Sequence, residues 1–253
     1  MIHIVALALI FFVTCAITVV TGGTALVTVP AMILFGIPAR TALATNMVTL
    51  TMMSVGGTLP FLRGEEFDRG RVPLLIALTM TGSVIGALLV FAVPIELLPL
   101  IIPFAMVVVL VFLVANPRMG IRGETHLSRA RIVTGYAAAL VLGIYGGFFS
   151  GGYVTLLMAS FVFFFGYSFL RSMAMSRLMN IASSFIATCV FAWHGAIEWK
   201  LAGELGIAAF AGAFVGARWA KRVPEKWLRR VFVTAVALLA LKSFAVDIPW
   251  SRI

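Results

Sequence analysis

Long apolar runs, separated by short polar or glycine-containing stretches, fill almost the whole of this 253-residue chain. Hydrophobic residues make up 62% of it and charged residues 11%, against about half and about a quarter in a soluble domain. No soluble fold of this length could bury so much apolar surface, so lipid must solvate most of it. Transmembrane barrels alternate apolar and polar residues in short strands, whereas these runs are continuous. The sequence therefore predicts an all-α, polytopic helical membrane protein. The ten runs are 2–20, 25–38, 41–62, 72–93, 97–115, 132–149, 154–166, 169–193, 201–218 and 228–244.

The two halves of the chain repeat one another around glycine. The diglycine pairs Gly22-Gly23 and Gly151-Gly152 are 129 residues apart, and three further glycine pairs share an offset of 130. Those three pairs are Gly36 and Gly166, Gly82 and Gly212, and Gly86 and Gly216. Short or interrupted segments at corresponding positions of two halves are typical of secondary transporters, whose substrate site lies where these segments meet. We predict a first transmembrane repeat over 1–115, a cytoplasmic linker over 116–131 and a second repeat over 132–253.

The distribution of charge indicates what the two short runs do. Runs 25–38 and 154–166 are short for a span, which needs about 20 residues. If both cross, 14 basic loop residues lie on one side and 4 on the other. If both re-enter, the two most basic loops fall on opposite faces. The positive-inside rule favours crossing, with the basic side cytoplasmic and both termini outside. Five crossings per half would also make the halves inverted repeats.

Several other functions are disfavoured by the sequence. The net charge of +10 comes mainly from these short loops, so it does not indicate nucleic acid binding. Cys15 and Cys189 each lie in an apolar run and are expected to be packing residues. No nucleophile–base set, metal-ligand spacing or phosphate loop occurs in the sequence, so we expect no enzyme activity, no cofactor and no metal. The first run lacks a basic n-region and a cleavage site, so we expect a retained span.

The diglycine pairs are the first candidates for a substrate site. Adjacent glycines can break a helix and leave backbone N–H groups unpaired, which is tolerated at membrane depth only where protein or a water-filled cavity lines the break. A helix that restarts after the break points its N–H groups and positive dipole end at the gap, which suits an anion. The alternative is close helix packing. The candidates here are Gly22, Gly23, Thr24, Gly151, Gly152 and Tyr153.

A polar stripe follows each short run. On a helix, Ser176 and Asn180 share one face with Ser172, and Thr45 and Asn46 lie near Thr49. Polar stripes in lipid face inward, and Asn46 and Ser176 correspond across the repeat. We therefore predict that Thr45, Asn46, Ser176 and Asn180 bind substrate. The alternative is interhelical hydrogen bonding that only holds the bundle together.

Arg177 is the most distinctive single residue. It lies two turns into an apolar helix, with no carboxylate within a turn. A buried cation needs an anionic partner or water, and the substrate is one candidate for that partner. The alternative is that its long stem snorkels to the nearby basic face.

Acidic residues are scarce, and none of the nine lies at the middle of an apolar run. This pattern suits an anionic substrate better than a cation. If transport is coupled to protons, the available carriers are His194, Glu198 and Glu204, for each of which an interfacial structural role is the alternative. Asp68 and Glu198 occupy equivalent positions of the two halves. The Gly82-x-x-x-Gly86 and Gly212-x-x-x-Gly216 motifs are interpreted as helix packing sites.

The ordered set of motifs resembles the TauE/SafE family of membrane permeases, the sulfite exporter group. The first copy reads Gly22-Gly23, then Val29-Pro30, then Ala44-Thr45-Asn46. The second reads Ser150-Gly151-Gly152, then Ala174-Met175-Ser176-Arg177. This chain departs from the family pattern in having two glycines in the first copy where many members have three, Asn46 in place of the usual Ser, and no Val-Pro in the second copy. The resemblance implies transport of small sulfur anions such as sulfite or organosulfonates.

Three functions remain open. The first is a secondary transporter that moves a small sulfur-containing anion across a bacterial inner membrane by alternating access. The second is an anion channel that uses the same site without alternating gates. The third is a membrane-embedded enzyme or an assembly factor. The expected partners are the anionic substrate and membrane lipid, with no nucleic acid, and a homodimer is an open alternative.

Overall fold

The described part of the chain is helical. The computed structural model describes residues 2–92 apart from 65, and 127–234 apart from 225, 229 and 232. Its helices are α1 (Ile2–Thr21), α2 (Ala25–Leu34), α3 (Ala39–Thr58), a 3₁₀ turn (Leu59–Phe61), α4 (Val72–Ala92), α5 (Arg129–Phe148), α6 (Tyr153–Phe165), α7 (Phe169–Trp193) and α8 (Trp199–Ala220). Within these ranges there is no strand, and the predicted all-α membrane fold is confirmed. The predicted run 97–115, the linker up to 126 and most of run 228–244 lie outside the described residues.

Five helices are long and apolar enough to cross a membrane by length and composition: α1, α4, α5, α7 and α8. Helix α3 has 20 residues as well but carries Thr, Asn and Ser side chains, and 13 of those residues are buried. Protein therefore covers most of this helix in place of lipid. Helices α2 and α6 have 10 and 13 residues, or about 15 and about 20 Å. Both are shorter than the hydrocarbon core of about 30 Å, as the sequence predicts.

Each half places its last described helix against the first helix of the other half. A Cβ added at Gly82 or Gly86 of α4 would collide with the backbone of α5 at Leu140 and Ile144. In the same way, Gly212 and Gly216 of α8 lie against the backbone of α1, at Phe12 and Ala16. Only glycine lets two helices approach this closely. The packing interpretation of both glycine motifs is therefore confirmed, and the packing is reciprocal between the halves.

The order of these contacts fixes the direction of the helices. Residues further along α1 contact residues further along α8, and the same is true of α3 with α8 and of α4 with α5. The helices of each of these three pairs are therefore parallel. Helices α3 and α7 are antiparallel, because Ser54 contacts Asn180, whereas Gly57, later in α3, contacts Arg177, earlier in α7. Helices α1 and α3 therefore run the same way, and α2 returns the chain between them.

Helices α4 and α7 are also parallel, because Ser83 contacts Ser183 and Phe91 contacts Phe191. Since α4 is parallel to α5, α5 runs the same way as α7, and α6 returns the chain between them.

Three basic loops meet at one end of the bundle. The Tyr167 hydroxyl, just before α7, donates to Asp68 Oδ2 in the loop before α4 at 2.7 Å. Lys221, after α8, lies 3.1 Å from Glu66 Oε1 and donates to the carbonyl of Pro60 at 3.0 Å. This end is the basic face. The basic residues that these three loops and the adjoining helix ends contribute are Arg63, Arg69, Arg71, Arg171, Arg218, Lys221 and Arg222.

Asp68 holds the two halves together at the basic face. It pairs with Arg71 at 3.0 Å and with Arg171 of the second half at 3.4 Å. Partial burial on its own would raise the pKa of the Asp68 carboxyl, but the hydrogen bond from Tyr167 and the charges of Arg71 and Arg171 outweigh it and lower that pKa below its usual value. A carboxyl with a lowered folded-state pKa stabilises the fold above its unfolded pKa of about 3.9, and that stability is lost as pH falls through the folded pKa.

Asp68→Asn is expected to destabilise the protein at pH 7 by about 1 kcal/mol, because the pairs are partly solvated. The difference in melting temperature between wild type and variant should shrink as pH falls from about 4, the pKa of the unfolded carboxyl, through the lower pKa of the folded one. Thermal unfolding between pH 3 and 7 measures both effects. Glu198→Gln is the matched control, because Glu198 occupies the equivalent position of the second half and is exposed. An equal pH dependence in both variants would contradict the assignment.

Candidate functional site

The two predicted helix breaks meet inside the bundle. The Thr155 hydroxyl, in the first turn of α6, donates to the carbonyl of Thr21 at the end of α1, at 2.8 Å. A Cβ added at Gly22 would lie 2.6 Å from the backbone nitrogen of Thr155, and one at Gly151 would lie 3.0 Å from Leu26 in the first turn of α2. Residues 21–24 and 150–155 are buried throughout. They form the helix-break junction, where the N-terminal turns of α2 and α6 lie against each other.

Positive φ angles produce both breaks. Gly22 and Gly23 have φ of 76° and 74°, and Gly152 has φ of 76°. Ser150 also adopts a positive φ, at 63°, a conformation that non-glycine residues rarely adopt. In the described part of the chain, the backbone N–H groups of Gly23, Thr24, Gly151 and Gly152 have no hydrogen-bond acceptor. The junction therefore holds unpaired donors at the positive ends of two short helices.

Arg177 lies beside this junction and is 0% exposed. Its Nε donates to the carbonyl of Val19 at 3.2 Å and its Nη2 to the carbonyl of Thr18 at 2.5 Å. The guanidinium thus caps the C-terminal end of α1, where the helix dipole is negative. The snorkelling alternative is wrong, because the side chain turns inward. Within the described residues no carboxylate pairs with Arg177.

A guanidinium carries five N–H donors. Two of those of Arg177 have backbone acceptors, and Nη1 has only the weak acceptor Sδ of Met53 at 3.9 Å. Two donors are therefore left over, and the charge itself has no anionic counterpart in the described part of the chain. The cation is held in place by α1 without being neutralised.

Asn46 presents a further unpaired donor. Its Oδ1 lies 2.8 Å from the Thr28 hydroxyl and 3.3 Å from the Thr49 hydroxyl. Its Nδ2 is buried and has no partner among the described residues. Thr24 donates to Met53 Sδ at 3.4 Å, the sulfur that Arg177 Nη1 also contacts. Met53 thus contacts both Thr24 and Arg177.

Asn180, Ser176 and Thr45 form hydrogen bonds with structural partners, whereas Tyr153 packs through its ring and its buried hydroxyl forms no hydrogen bond with a described residue. Asn180 Nδ2 donates to Ser54 at 2.6 Å, and Ser176 donates to the carbonyl of Ser172 at 2.6 Å. The ring of Tyr153 packs against the backbone of α5 where Gly146 leaves room. The hydroxyl of Thr45 accepts the N–H of Glu198 at 3.1 Å and so supports the start of α8.

The three proton-coupling candidates lie apart from the junction. His194 is 17 positions beyond Arg177 along α7, which is about 25 Å. Its ring stacks on Phe91 with centroids 4.0 Å apart, and Nδ1 lies 2.8 Å from the carbonyl of Val190. Glu198 is exposed, and Glu204 is half-buried with Oε2 unpartnered within the described ranges. The structure brings these three residues to the end of the bundle opposite the basic face.

Sequence reasoning missed Thr18, Thr28 and Met53, which connect Thr24, Asn46 and Arg177. The hydroxyls of Thr18 and Thr24 form a hydrogen bond at 2.7 Å, and the carbonyl of Thr18 accepts a hydrogen bond from Arg177. Thr28 is the closest partner of Asn46. A useful signal was present in the spacing of Thr24 and Thr28, which lie four positions apart and so place two hydroxyls on one side of the start of α2.

Buried polar groups at a helix break inside a bundle of membrane-spanning helices define a multi-pass membrane protein with an internal polar site. The chain belongs to the sulfite exporter TauE/SafE family, whose model matches residues 7–243. It is 30% identical over 227 residues to a probable membrane transporter protein, ORF9, of Sinorhizobium sp, covering 89% of this chain and 86% of that one. It is 28% identical to the probable membrane transporter protein YfcA of Escherichia coli K12, covering 88% and 82%. A probable membrane transporter protein of Haemophilus influenzae is 25% identical over 96% of both chains. No solved structure matches. The chain is thus a membrane permease of this family.

Proposed function

We propose that this permease moves a small sulfur-containing anion across the bacterial inner membrane, and that the anion binds at the helix-break junction. The observation that carries the proposal is that two positive helix ends meet beside a buried cation, and that within residues 2–92 and 127–234 as described their N–H groups have no acceptor and the cation has no carboxylate partner. A site with several donors and one excess positive charge suits an oxyanion. The family name, sulfite exporter, supports sulfur oxyanions as the class.

Each group has a distinct task in this proposal. The N–H groups of Gly23, Thr24, Gly151 and Gly152 donate to the oxyanion oxygens. Asn46 Nδ2 adds a neutral donor, and the free N–H groups of Arg177 add charge. Ser176 and Asn180 flank the site, and the bonds that they make to Ser172 and Ser54 hold their positions.

Alternating access is the proposed mode of transport. Helices at corresponding positions of the two halves run in opposite directions, and each half packs its last described helix on the first helix of the other. This arrangement supports an inverted repeat whose halves rock about a fixed site. The ion pairs of Asp68 with Arg71 and Arg171 would then form in the state whose basic face is closed and break in the state whose basic face is open. His194, Glu198 and Glu204 lie where they could take up protons at the opposite end.

Purified protein should melt at a higher temperature with at least one of sulfite, sulfate, thiosulfate, taurine or sulfoacetate, and not with matched carboxylates. A ligand at 100 times its dissociation constant adds about 2.7 kcal/mol to the stability of the folded form. Thermal-shift titration measures the effect. Stabilisation by cations or neutral solutes alone would contradict an anion site.

Asn46→Asp keeps the shape of the side chain but replaces the free donor with an acceptor, so it should abolish the anion response. Thr79→Val is the control, because Thr79 is also buried and polar but lies on α4 at the contact with α5.

Counterflow in proteoliposomes separates a transporter from a channel: preloaded substrate should accelerate uptake of labelled substrate, and a channel would show no such exchange.

A further inference from the structure

A second charged site lies at the basic face, away from the helix-break junction. A groove of about 690 Å³ opens between the 3₁₀ turn and the end of α8. One side of it is apolar, formed by Leu59, Pro60, Leu62 and Phe214, and the other side is basic, formed by Arg63, Arg218, Lys221 and Arg222. Every charged side chain that lines the groove is thus a cation.

Most of this charge is not compensated. Lys221 pairs with Glu66 at 3.1 Å. Arg63, Arg218 and Arg222 are exposed, and none of the three forms an ion pair within the described ranges. Three guanidinium groups that form no ion pair with any described residue attract a multivalent or doubly hydrogen-bonding anion such as a phosphate, because guanidinium binds phosphate in a bidentate manner.

The apolar half of the groove indicates what carries the phosphate. Trp219 follows the groove residue Arg218 in the sequence, and Trp227 lies five positions after Arg222. Both tryptophans are exposed, and exposed tryptophan marks the level of the lipid headgroups. Leu59 and Leu62 are also exposed, at 39% and 54%. A ligand that fills both sides must combine an anionic head with an apolar tail.

We propose that this groove binds the headgroup of an anionic phospholipid, with its acyl chains along the apolar side. Basic pockets at the cytoplasmic ends of transmembrane helices recognise such headgroups through charge and local shape. The lining comes from both halves of the chain, residues 59–63 from the first and 214–222 from the second. A bound lipid therefore holds the two halves together at the basic face, next to the Asp68 pairs.

The test uses the full-length protein purified in a neutral detergent, followed by thermal melting and native mass spectrometry. Phosphatidylglycerol should raise the melting temperature and remain bound, whereas phosphatidylcholine should do neither. Arg218→Gln combined with Arg222→Gln should weaken phosphatidylglycerol binding about 25-fold, since each basic residue contributes about fivefold. Arg218→Lys with Arg222→Lys keeps the charge and should retain most of the binding.

Arg129→Gln is the matched control, because Arg129 is an exposed arginine at the start of α5 that does not line the groove. It should leave lipid binding within twofold of wild type. Equal weakening by Arg129→Gln would show only general attraction to anionic surfaces and would overturn the site. Equal stabilisation by inorganic phosphate or glycerol phosphate would overturn the lipid assignment, because neither fills the apolar side.

Discussion

Arg177→Met is expected to abolish anion binding and transport and to lower the free energy of unfolding by about 2–3 kcal/mol. Methionine fills a similar volume but cannot donate to the carbonyls of Thr18 and Val19. The carbonyl of Thr18 keeps the N–H of Gly22 at 2.7 Å, but the buried carbonyl of Val19 loses its donor, which costs about 1–3 kcal/mol. Removing the guanidinium also removes the only positive charge beside the helix-break junction in the described part of the chain. Melting temperature measures the first effect, and ligand-induced shift and proteoliposome uptake measure the second.

Arg177→Lys separates the two effects. Lysine keeps the charge but is a point donor and lacks the planar fork that reaches two carbonyls at once. We expect it to lose part of the stability and to keep a measurable anion response, with weaker affinity. If Arg177→Met were to bind the anion as tightly as wild type, the guanidinium would be a helix cap alone. The anion site would then depend on the backbone N–H groups and Asn46.

The boundaries of the helices could be predicted because local chemistry determines them. Helix α7 occupies the predicted range 169–193, since Ser168 accepts from the N–H of Arg171 at its start. Helix α6 begins and ends at glycines with positive φ, Gly152 and Gly166. The polar stripe of Thr45, Asn46 and Thr49 on α3 is buried, as the inward-facing prediction requires. In each case the deciding interaction lies within a few residues, so the sequence carries it.

The partners across the bundle could not be predicted in the same way. Arg177 bonds to backbone carbonyls 158 and 159 positions away, and a carbonyl has no sequence signature. The glycine motifs predict a close approach but do not say that α4 packs on α5 and α8 on α1. Tyr153 and Thr45 look like site residues in the sequence because they adjoin the motifs. In the structure Tyr153 packs on α5, and Thr45 supports the start of α8.

A series of three alanine substitutions separates backbone strain from steric collision at the first helix break. Gly203 lies within α8 with nothing within 4 Å of an added Cβ, so Gly203→Ala should stabilise the protein by about 0.5–1 kcal/mol. Gly36 has φ of +87° and equally open surroundings. Gly36→Ala should therefore cost only the strain of a left-handed backbone, about 1–2 kcal/mol.

Gly22→Ala combines both penalties and should cost about 4 kcal/mol. Gly22 has φ of +76°, and the added Cβ would lie 2.6 Å from the backbone nitrogen of Thr155. That atom belongs to α6 and cannot yield as a flexible side chain would, so the collision adds about 1–3 kcal/mol to the strain. The loss is a large part of the 5–15 kcal/mol that stabilises a typical protein. Melting temperatures of the three variants test the order Gly203→Ala, Gly36→Ala, Gly22→Ala. If Gly22→Ala melts no lower than Gly36→Ala, then α1 and α6 are not in contact at the break, and the two helix ends do not form one site.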